Sequence, residues 1–580
     1  MRKPLLCVVL LGAVVALSVP AAASARGAAR PKQYVVLYEK GVSAKAARAA
    51  IRAAGGRIVH ENRAVGLATV TARSSSFVAR ARAHRAIAGA AANRVIGREP
   101  GAGRDKPPWR DVESEGDGRG SGDRPAPTSD NLSGLQWDMQ LIGATPSGSY
   151  ARQQGSHAVR VGIMDTGIDG NHPDIAPNFD RALSRNFTVD NPLPGIDDGP
   201  CEYAGCVDPV DEDDDGHGTH VAGTVGAALN GIGVAGVAPQ VDLVNIRAGQ
   251  DSGFFLLTPF VDALTYAAQV GIDVVNMSFF IDPWLFNCRT NPADSPDEQA
   301  EQAAIIDMAQ RTVDFARAHG VTLIAAEGNE ATDLGNPTVD TTSPDFPPDA
   351  AKQRQVDNGC LTEPTEAEGV IAVSSVGPVN PAASPFPRKA FYSNYGVEQT
   401  DVAAPGGDSR EFYGTQQFNA AQNRILNAYP LNVAQACDEV DTNDVPTGQT
   451  TCTPTGQPAP RAVPLVRDCA NGRCALYQWI QGTSMAAPHA VGVAALIVAE
   501  RGRRDRANGG LTMDPSEVAR ILRRTATDTP CPEPRLFDYP EPASGDQYTA
   551  FCDGPPSDNG FYGDGIVNAL AAVSKGNKHH

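Results

Sequence analysis

The apolar positions of residues 33–72, QYVVLYEKGVSAKAARAAIRAAGGRIVHENRAVGLATVTA, change period along the segment. A short apolar run is followed by small and apolar residues at helical spacing. A Gly-Gly pair closes that run, and two further short apolar runs come after it. This predicts strand, helix, turn, strand, strand, and a second helix in the Ala- and Arg-rich stretch that follows. Residues 33–97 therefore read as a small α+β domain. From about residue 135 the pattern becomes a regular alternation. AVRVGIMD, VDLVNIRA, GIDVVNMS and VTLIAAEGN are continuous apolar runs of strand length, and GTHVAGTVGAAL, TPFVDALTYAAQV and EQAAIIDMAQRTVDFARAHG lie between them with helical periodicity. Strands apolar on both faces and separated by helices predict an α/β fold, a parallel sheet in three layers with helices on both sides. The chemistry is then expected where strands end at their carboxyl side.

Between the two regions, residues 98–134 are rich in Gly, Pro, Asp and Arg without apolar period, the signature of a linker open to proteolysis. Charge divides the chain at the same place. Residues 26–99 hold 15 Lys+Arg against 3 Asp+Glu, although the whole chain carries a net charge of −18. A basic module ahead of an acidic one predicts two surfaces that attract each other. The acidic balance also makes nucleic acid an unsuitable partner.

The N-terminus combines Arg2 and Lys3, an apolar run from Leu5 to Val19, and Ala23-Ser24-Ala25. That is the pattern of a cleaved signal peptide over residues 1–25, which predicts a secreted, extracellular product with no membrane attachment after cleavage. Of the eleven cysteines, Cys7 falls in this leader, leaving ten for an oxidising compartment. Ten allow too many pairings to deduce. Short spacings suggest Cys201 with Cys206, Cys469 with Cys474, Cys437 with Cys452 and Cys531 with Cys552, which leaves Cys288 for Cys360.

Three stretches carry candidate chemistry. Asp165 ends a predicted strand in DTGIDGNHPDI, His217 opens a predicted helix in HGTHVAGTVG, and Ser484 opens another in GTSMAAPHAVGVAAL. A serine hydroxyl is a weak nucleophile at neutral pH and needs a base within about 3 Å, itself oriented by a third group. In these segments, and in the order Asp, His, Ser, the chain resembles the subtilase (subtilisin-like) serine peptidase family over roughly residues 135–575. The resemblance implies a secreted serine endopeptidase working through an acyl-enzyme, with His217 as base, Asp165 as its orienting carboxylate and Ser484 as nucleophile. The oxyanion would be held by the Ser484 backbone N–H and by Asn329, which follows the strand LIAAEGN.

The same resemblance implies that residues 33–97 are a ferredoxin-like inhibitory propeptide, with a maturation site in 98–134. Protein or peptide substrates and this propeptide are the expected partners of a monomer. Substrate backbone would pair with two strand edges, Ser252-Gly253-Phe254 and Ser278-Phe279-Phe280. Phe280 stands where the family usually has glycine, so a ring there is expected to narrow the first specificity pocket. Glu327 replaces a small residue beside that pocket, and its orientation is open at this stage. Asp215, in the acidic run Asp211–Asp215, is a candidate for favouring a basic substrate residue next to the cleaved one. The alternative reading is a catalytically inactive subtilase-fold secreted binding protein.

No cofactor is expected for catalysis. His217 and His220 lie three apart on a helix, but no third histidine or carboxylate follows at zincin spacing. Calcium is expected at most as a structural ion. Asp174 matches a calcium-ligating aspartate of many subtilases, although the partner loop LNGIGVAG is one residue shorter than in calcium-binding members. His172 and His489 are read as packing residues. Relative to compact family members, insertions fall near 196–212, 283–300, 330–367 and 407–478. The last runs up to Gly482, two residues before the nucleophile.

Overall fold

The computed structural model describes residues 32–93, 130–190, 198, 201–345, 350–452, 457–461, 463–539 and 548–574. The predicted signal peptide and most of the predicted linker, with its maturation site, lie outside these residues. The N-terminal domain is formed by β1 (Lys32–Tyr38), α1 (Ala44–Ala53), β2 (Arg57–Asn62), β3 (Leu67–Ala72), α2 (Phe77–Arg82) and β4 (Ile87–Ala92). Its sheet is antiparallel in the order β2-β3-β1-β4. Both helices pack Ile51 and Phe77 against Tyr34, Val36 and Val70 of the sheet. Ser43 caps α1 by accepting from the Ala46 N–H, which satisfies one of the helix's first donors.

The main domain is built on a seven-stranded parallel sheet of β5 (Arg160–Met164), β6 (Arg185–Asn186), β7 (Asp242–Arg247), β8 (Val274–Met277), β9 (Thr322–Ala326), β10 (Ile371–Val376) and β11 (Val402–Pro405). Their spatial order is β11-β10-β9-β8-β5-β7-β6. Alternate residues along one strand go to opposite faces. In β9, Ile324 and Ala326 join one core, and Leu323 and Ala325 join the other. This two-sided burial is why the strands read as continuous apolar runs. One face is covered by α3 (His217–Gly226) and α6 (Thr483–Arg501), the other by α4 (Leu257–Val270) and α5 (Pro296–Ala318). Helix α6 is long and apolar enough to cross a membrane, yet its residues Thr483 to Val498 are buried inside the protein as a central core helix.

The ordered body of the main domain begins earlier than residue 135. Buried Asp130 accepts from the N–H groups of Asn230 and Gly231, which fixes the chain there. The 407–478 insertion contains an antiparallel sheet of β12 (Ile425–Tyr429), β13 (Val466–Ala470) and β14 (Arg473–Ile480), in the order β12-β14-β13. Strand β14 leads directly into α6. All five expected disulfides form: Cys201–Cys206, Cys288–Cys360, Cys437–Cys452, Cys469–Cys474 and Cys531–Cys552.

The N-terminal domain sits on α4 and α5. Val35, Leu37, Val65, Leu67 and Ala91 share a core with Phe260, Leu264, Ile305 and Met308. Charge plays a smaller part in this contact than the sequence suggests. Arg48 and Arg63 pair with Glu61 of their own domain, whereas Arg311 of α5 donates to the Tyr38 and Val65 carbonyls. Asp262 of α4 adds polar contacts of its own, accepting from Asn62 at 2.8 Å and pairing with His60 at 2.8 Å.

Candidate active site

Asp165 follows the carboxyl end of β5, Ser278 that of β8 and Asn329 that of β9, three neighbouring strands. Each is tied to a helix start. The buried carboxylate of Asp165 meets His217 Nδ1 at 2.7 Å, and its Oδ1 also accepts from the Thr166 N–H at 2.8 Å. Burial pushes the Asp165 carboxyl up, and the His217 ring beside it opposes that shift. Gly218 lets helix and turn approach this closely, because a Cβ there would lie 2.1 Å from the Gly167 carbonyl.

Ser484 occupies the first turn of α6, where unpaired backbone N–H groups and the helix dipole favour negative charge. The motif explains a further contact. Pro488 lies inside α6 and has no N–H for the carbonyl of residue 484, four positions earlier. Ser278 Oγ donates to that Ser484 carbonyl at 3.0 Å instead, and Asn276 Nδ2 donates to Ser278 Oγ at 2.9 Å. Ser278 is thus a support for the nucleophile's backbone as well as part of a strand edge. Asn329 is latched beside it. Its Oδ1 accepts from the Thr483 N–H at 2.9 Å and from Thr483 Oγ1 at 3.0 Å. With the oxygen so engaged, the amide's Nδ2 is the end left to donate elsewhere.

Asp213 is the residue the sequence reading missed, since it looked like part of a solvated acidic run. It is fully buried. Its Oδ2 accepts from the Thr219 N–H at 2.9 Å and Oγ1 at 2.6 Å, and its Oδ1 accepts from Thr166 Oγ1 at 3.0 Å and the Gly216 N–H at 3.0 Å. One carboxylate therefore binds the start of the His217 helix to the turn that carries Asp165. Asp215 is also used locally, accepting from the His217 N–H at 3.2 Å.

A small cavity of about 30 Å³ lies beside Ser484 and Asn329, lined among others by Phe280, Leu285, Glu330 and Thr362. The Phe280 ring packs with Leu285, Phe286 and the Cys288–Cys360 disulfide, filling space that glycine would leave open. Phe279 instead stacks on Phe255, with ring centroids 4.1 Å apart. Glu327 is fully buried and accepts from Thr400 Oγ1 at 2.7 Å, and burial holds its carboxyl well above the usual range. Glu330 accepts from Asn394, and burial pushes it up to about 7. These two acids are thereby biased toward their neutral forms. The second expected edge differs from the sequence reading. Ser252, Gly253 and Phe254 are buried, and the Ser252 N–H donates to Asp198 of the insertion at 2.8 Å.

The subtilase family profile matches residues 156–539. The chain belongs to the subtilase family. The thermophilic serine proteinase of Bacillus sp. (strain AK1) is 30% identical over 259 residues, 44% of this chain and 45% of that protein. Subtilisin DY of Bacillus licheniformis is 25% identical over 415 residues, 72% of this chain and 90% of its own length. The chain thus spans under half of the first relative. Among solved subtilase-fold structures, the epidermin leader peptide processing serine protease (EpiP) of Staphylococcus aureus aligns with a TM-score of 0.58 at 19% identity. It covers 95% of this chain and 100% of its own. Fervidolysin from Fervidobacterium pennivorans aligns with a TM-score of 0.53 at 18% identity, covering 95% and 62%. These two likenesses support the fold.

Asp174 does not sit in a calcium site of the kind expected from the family. Its Oδ2 accepts from Tyr477 Oη at 2.8 Å and from the Val234 N–H at 3.1 Å. Asn230 of the shortened loop donates to the Pro173 carbonyl and accepts from the Ile232 N–H. Protein donors aimed at the carboxylate disfavour a cation at the same point, and burial pushes Asp174 up to about 7. The residues present there do not fit calcium. His220 Nε2 faces the carbonyls of Ile425 and Gln478, so it is a packing donor rather than a metal ligand. His489, fully buried, lies 3.0 Å from Asp138.

Proposed function

We propose that this subtilase is a secreted serine endopeptidase that cleaves peptide bonds through an acyl-enzyme. The observation that carries the reading is the buried His217–Asp165 pair at 2.7 Å, beside a helix start that presents Ser484 next to a latched Asn329. In this mechanism Ser484 Oγ attacks the scissile carbonyl as His217 Nε2 takes its proton. Asp165 accepts from Nδ1–H, fixing the tautomer and stabilising the imidazolium that forms. The Ser484 backbone N–H and Asn329 Nδ2 donate to the oxyanion, and His217 then returns the proton to the leaving amine. Water repeats the sequence to release the acyl group.

The N-terminal domain is proposed as the inhibitory propeptide, docked on α4 and α5, with autocatalytic cleavage in 98–134. Five disulfides and the leader-like N-terminus support an extracellular site of action. The rival is an inactive binding protein of the same fold. Both are tested by a fluorophosphonate probe and casein on purified protein. The proposal requires covalent labelling and casein cleavage, both lost in Ser484→Ala, with the Ser484→Ala precursor left uncut. A wild-type chain that folds, takes no label and cleaves nothing supports the binding protein instead.

A further inference from the structure

The 407–478 insertion builds a second cavity that the proposed peptidase mechanism does not use. It has a volume of about 530 Å³, within the range of about 300–1,000 Å³ typical of ligand sites and far larger than the cavity beside Ser484. One wall is the chain after Asp165, at Asp169 and Asn171, together with Asp211 and Glu212. The other is the short helix Leu431–Ala436 and the hairpin of β13 and β14. The walls meet beside the start of the His217 helix. A Cβ at Gly216 would lie 3.0 Å from the Tyr429 ring, and Asn432 Nδ2 donates to Asp214 at 2.7 Å and to the Asp213 carbonyl at 3.2 Å. The groove therefore opens from the stretch directly before His217.

Charge along the groove is unevenly satisfied. Its acids already have protein donors: Asp211 pairs with Arg181, Glu212 accepts from Tyr203 at 2.6 Å, Asp169 from the Asn171 N–H at 2.9 Å and Asp444 from Gln435 at 2.8 Å. Its two arginines are left nearly unused. Arg467 donates to the Asn443 carbonyl at 3.4 Å, and its buried Nε has no acceptor. Exposed Arg473 has no hydrogen bond or ion pair among the described residues. Asp441, whose charge acts on Arg467, accepts instead from the Asn443 and Val445 N–H groups. A guanidinium without an acidic partner suits a carboxylate, whose two oxygens match its fork of donors.

Position decides which carboxylate. Phe279 of the Ser278–Phe280 edge shares a core with α4, whereas the groove lies on the α3 side, where the Ile425 and Gln478 carbonyls of β12 and β14 face His220. A peptide whose residues before the scissile bond lie on that edge leaves past His217 toward the groove. Strand β14 has eight residues, spanning about 23 Å, and Arg473 stands at its end remote from Ser484. Arg467 pairs with Leu476, about half-way along the same strand. An extended peptide, rising about 3.3 Å per residue, reaches these arginines about four to seven residues after the bond.

We propose that this groove is an exosite for the downstream part of a peptide substrate, where Arg467 and Arg473 bind a carboxylate about four to seven residues after the scissile bond. That carboxylate is an acidic side chain or the substrate's own C-terminus. The proposal rests on the peptidase reading and extends it from the bond that is cut to the chain that follows. Short substrates leave the groove empty, and long acidic ones gain from it.

The test uses the purified wild-type chain and quenched fluorescent peptides built on one sequence that it cuts in casein. Three long forms differ only downstream: Glu with an amidated end, Gln with an amidated end, and Gln with a free terminal carboxylate. A short amidated form stops before the groove and reports the chemistry in each protein. A carboxylate-bearing form should exceed the Gln amide in kcat/KM by about fivefold, carried by KM and reduced in about 0.5 M sodium chloride. Which of the two gains assigns the carboxylate to a side chain or to the chain end. Arg467→Gln combined with Arg473→Gln should bring that ratio to about one. Should the double variant fail to fold, Arg473→Gln alone, at an exposed position, must lower the ratio. Equal kcat/KM for all three long forms, or a preference that survives in the variants, overturns the exosite. The peptidase reading fails on a different observation, a chain that cuts neither casein nor the short peptide, and the exosite then falls with it.

Discussion

Replacing Asp213 by Asn tests whether one buried carboxylate aligns the candidate triad. The substitution keeps the volume, so it opens no cavity, but it turns one acceptor oxygen into an NH2 group. In the native arrangement every neighbour of that carboxylate is a donor: Thr166 Oγ1, the N–H groups of Asp215, Gly216 and Thr219, and Thr219 Oγ1. The hydroxyl of Thr219 can rotate to accept from the new amide. Its N–H cannot. The variant therefore loses at least one charge-assisted hydrogen bond, worth about 1.5–3 kcal/mol, and buries an unsatisfied donor. It also removes a negative charge from the start of the His217 helix, worth about 0.3–1 kcal/mol. Together these predict a loss of about 3–5 kcal/mol, read by denaturant unfolding in a Ser484→Ala background so that self-cleavage does not intervene. In the active background kcat should fall about tenfold with KM little changed, because the Asp165 turn and the His217 helix lose their shared tie while the substrate edges do not. A variant within about 1 kcal/mol of its parent, with unchanged kcat, refutes the reasoning and returns Asp213 to the solvated run.

Phe280→Gly should enlarge the 30 Å³ cavity and raise the kcat/KM ratio for a large over a small residue at the cleavage position by about tenfold. Because Phe280 packs on the Cys288–Cys360 cluster, the same variant should lose about 3–5 kcal/mol of stability. An unchanged ratio in folded protein would remove Phe280 from the pocket's control. His172 is held neutral, with Nε2 donating to the Leu476 carbonyl and Nδ1 accepting from the Asp174 N–H, and burial lowers it to about 4. Its folded value lies below its unfolded one, so its contribution is present above about pH 6.5 and is lost progressively as pH falls toward 4. His172→Gln should therefore shrink the loss of stability between pH 7 and pH 5 by about 2 kcal/mol. Unfolding curves at the two pH values check this, and an equal loss in both proteins contradicts it.

Local patterns in the sequence were enough for much of this molecule. Apolar period separated the N-terminal α+β unit from the parallel α/β body, because strand and helix repeats are properties of neighbouring residues. The candidate segments around Asp165, His217, Asn329 and Ser484 were found through their resemblance to the family's motifs, each a short run of neighbouring residues. Four disulfides followed from short spacing and the fifth by elimination. What the tertiary structure alone decided are meetings between distant parts of the chain. Asp213 leaves the solvated run only because the Thr166 turn folds onto the His217 helix. The Ser484 carbonyl needs Ser278 because Pro488 has no N–H, a match that spans 206 residues. Tyr477 reaches Asp174 from the 407–478 insertion, and Asp198 takes the Ser252 amide that the family resemblance assigns to a substrate. A side chain's partner depends on which remote surfaces come together, and spacing along the chain carries no record of that.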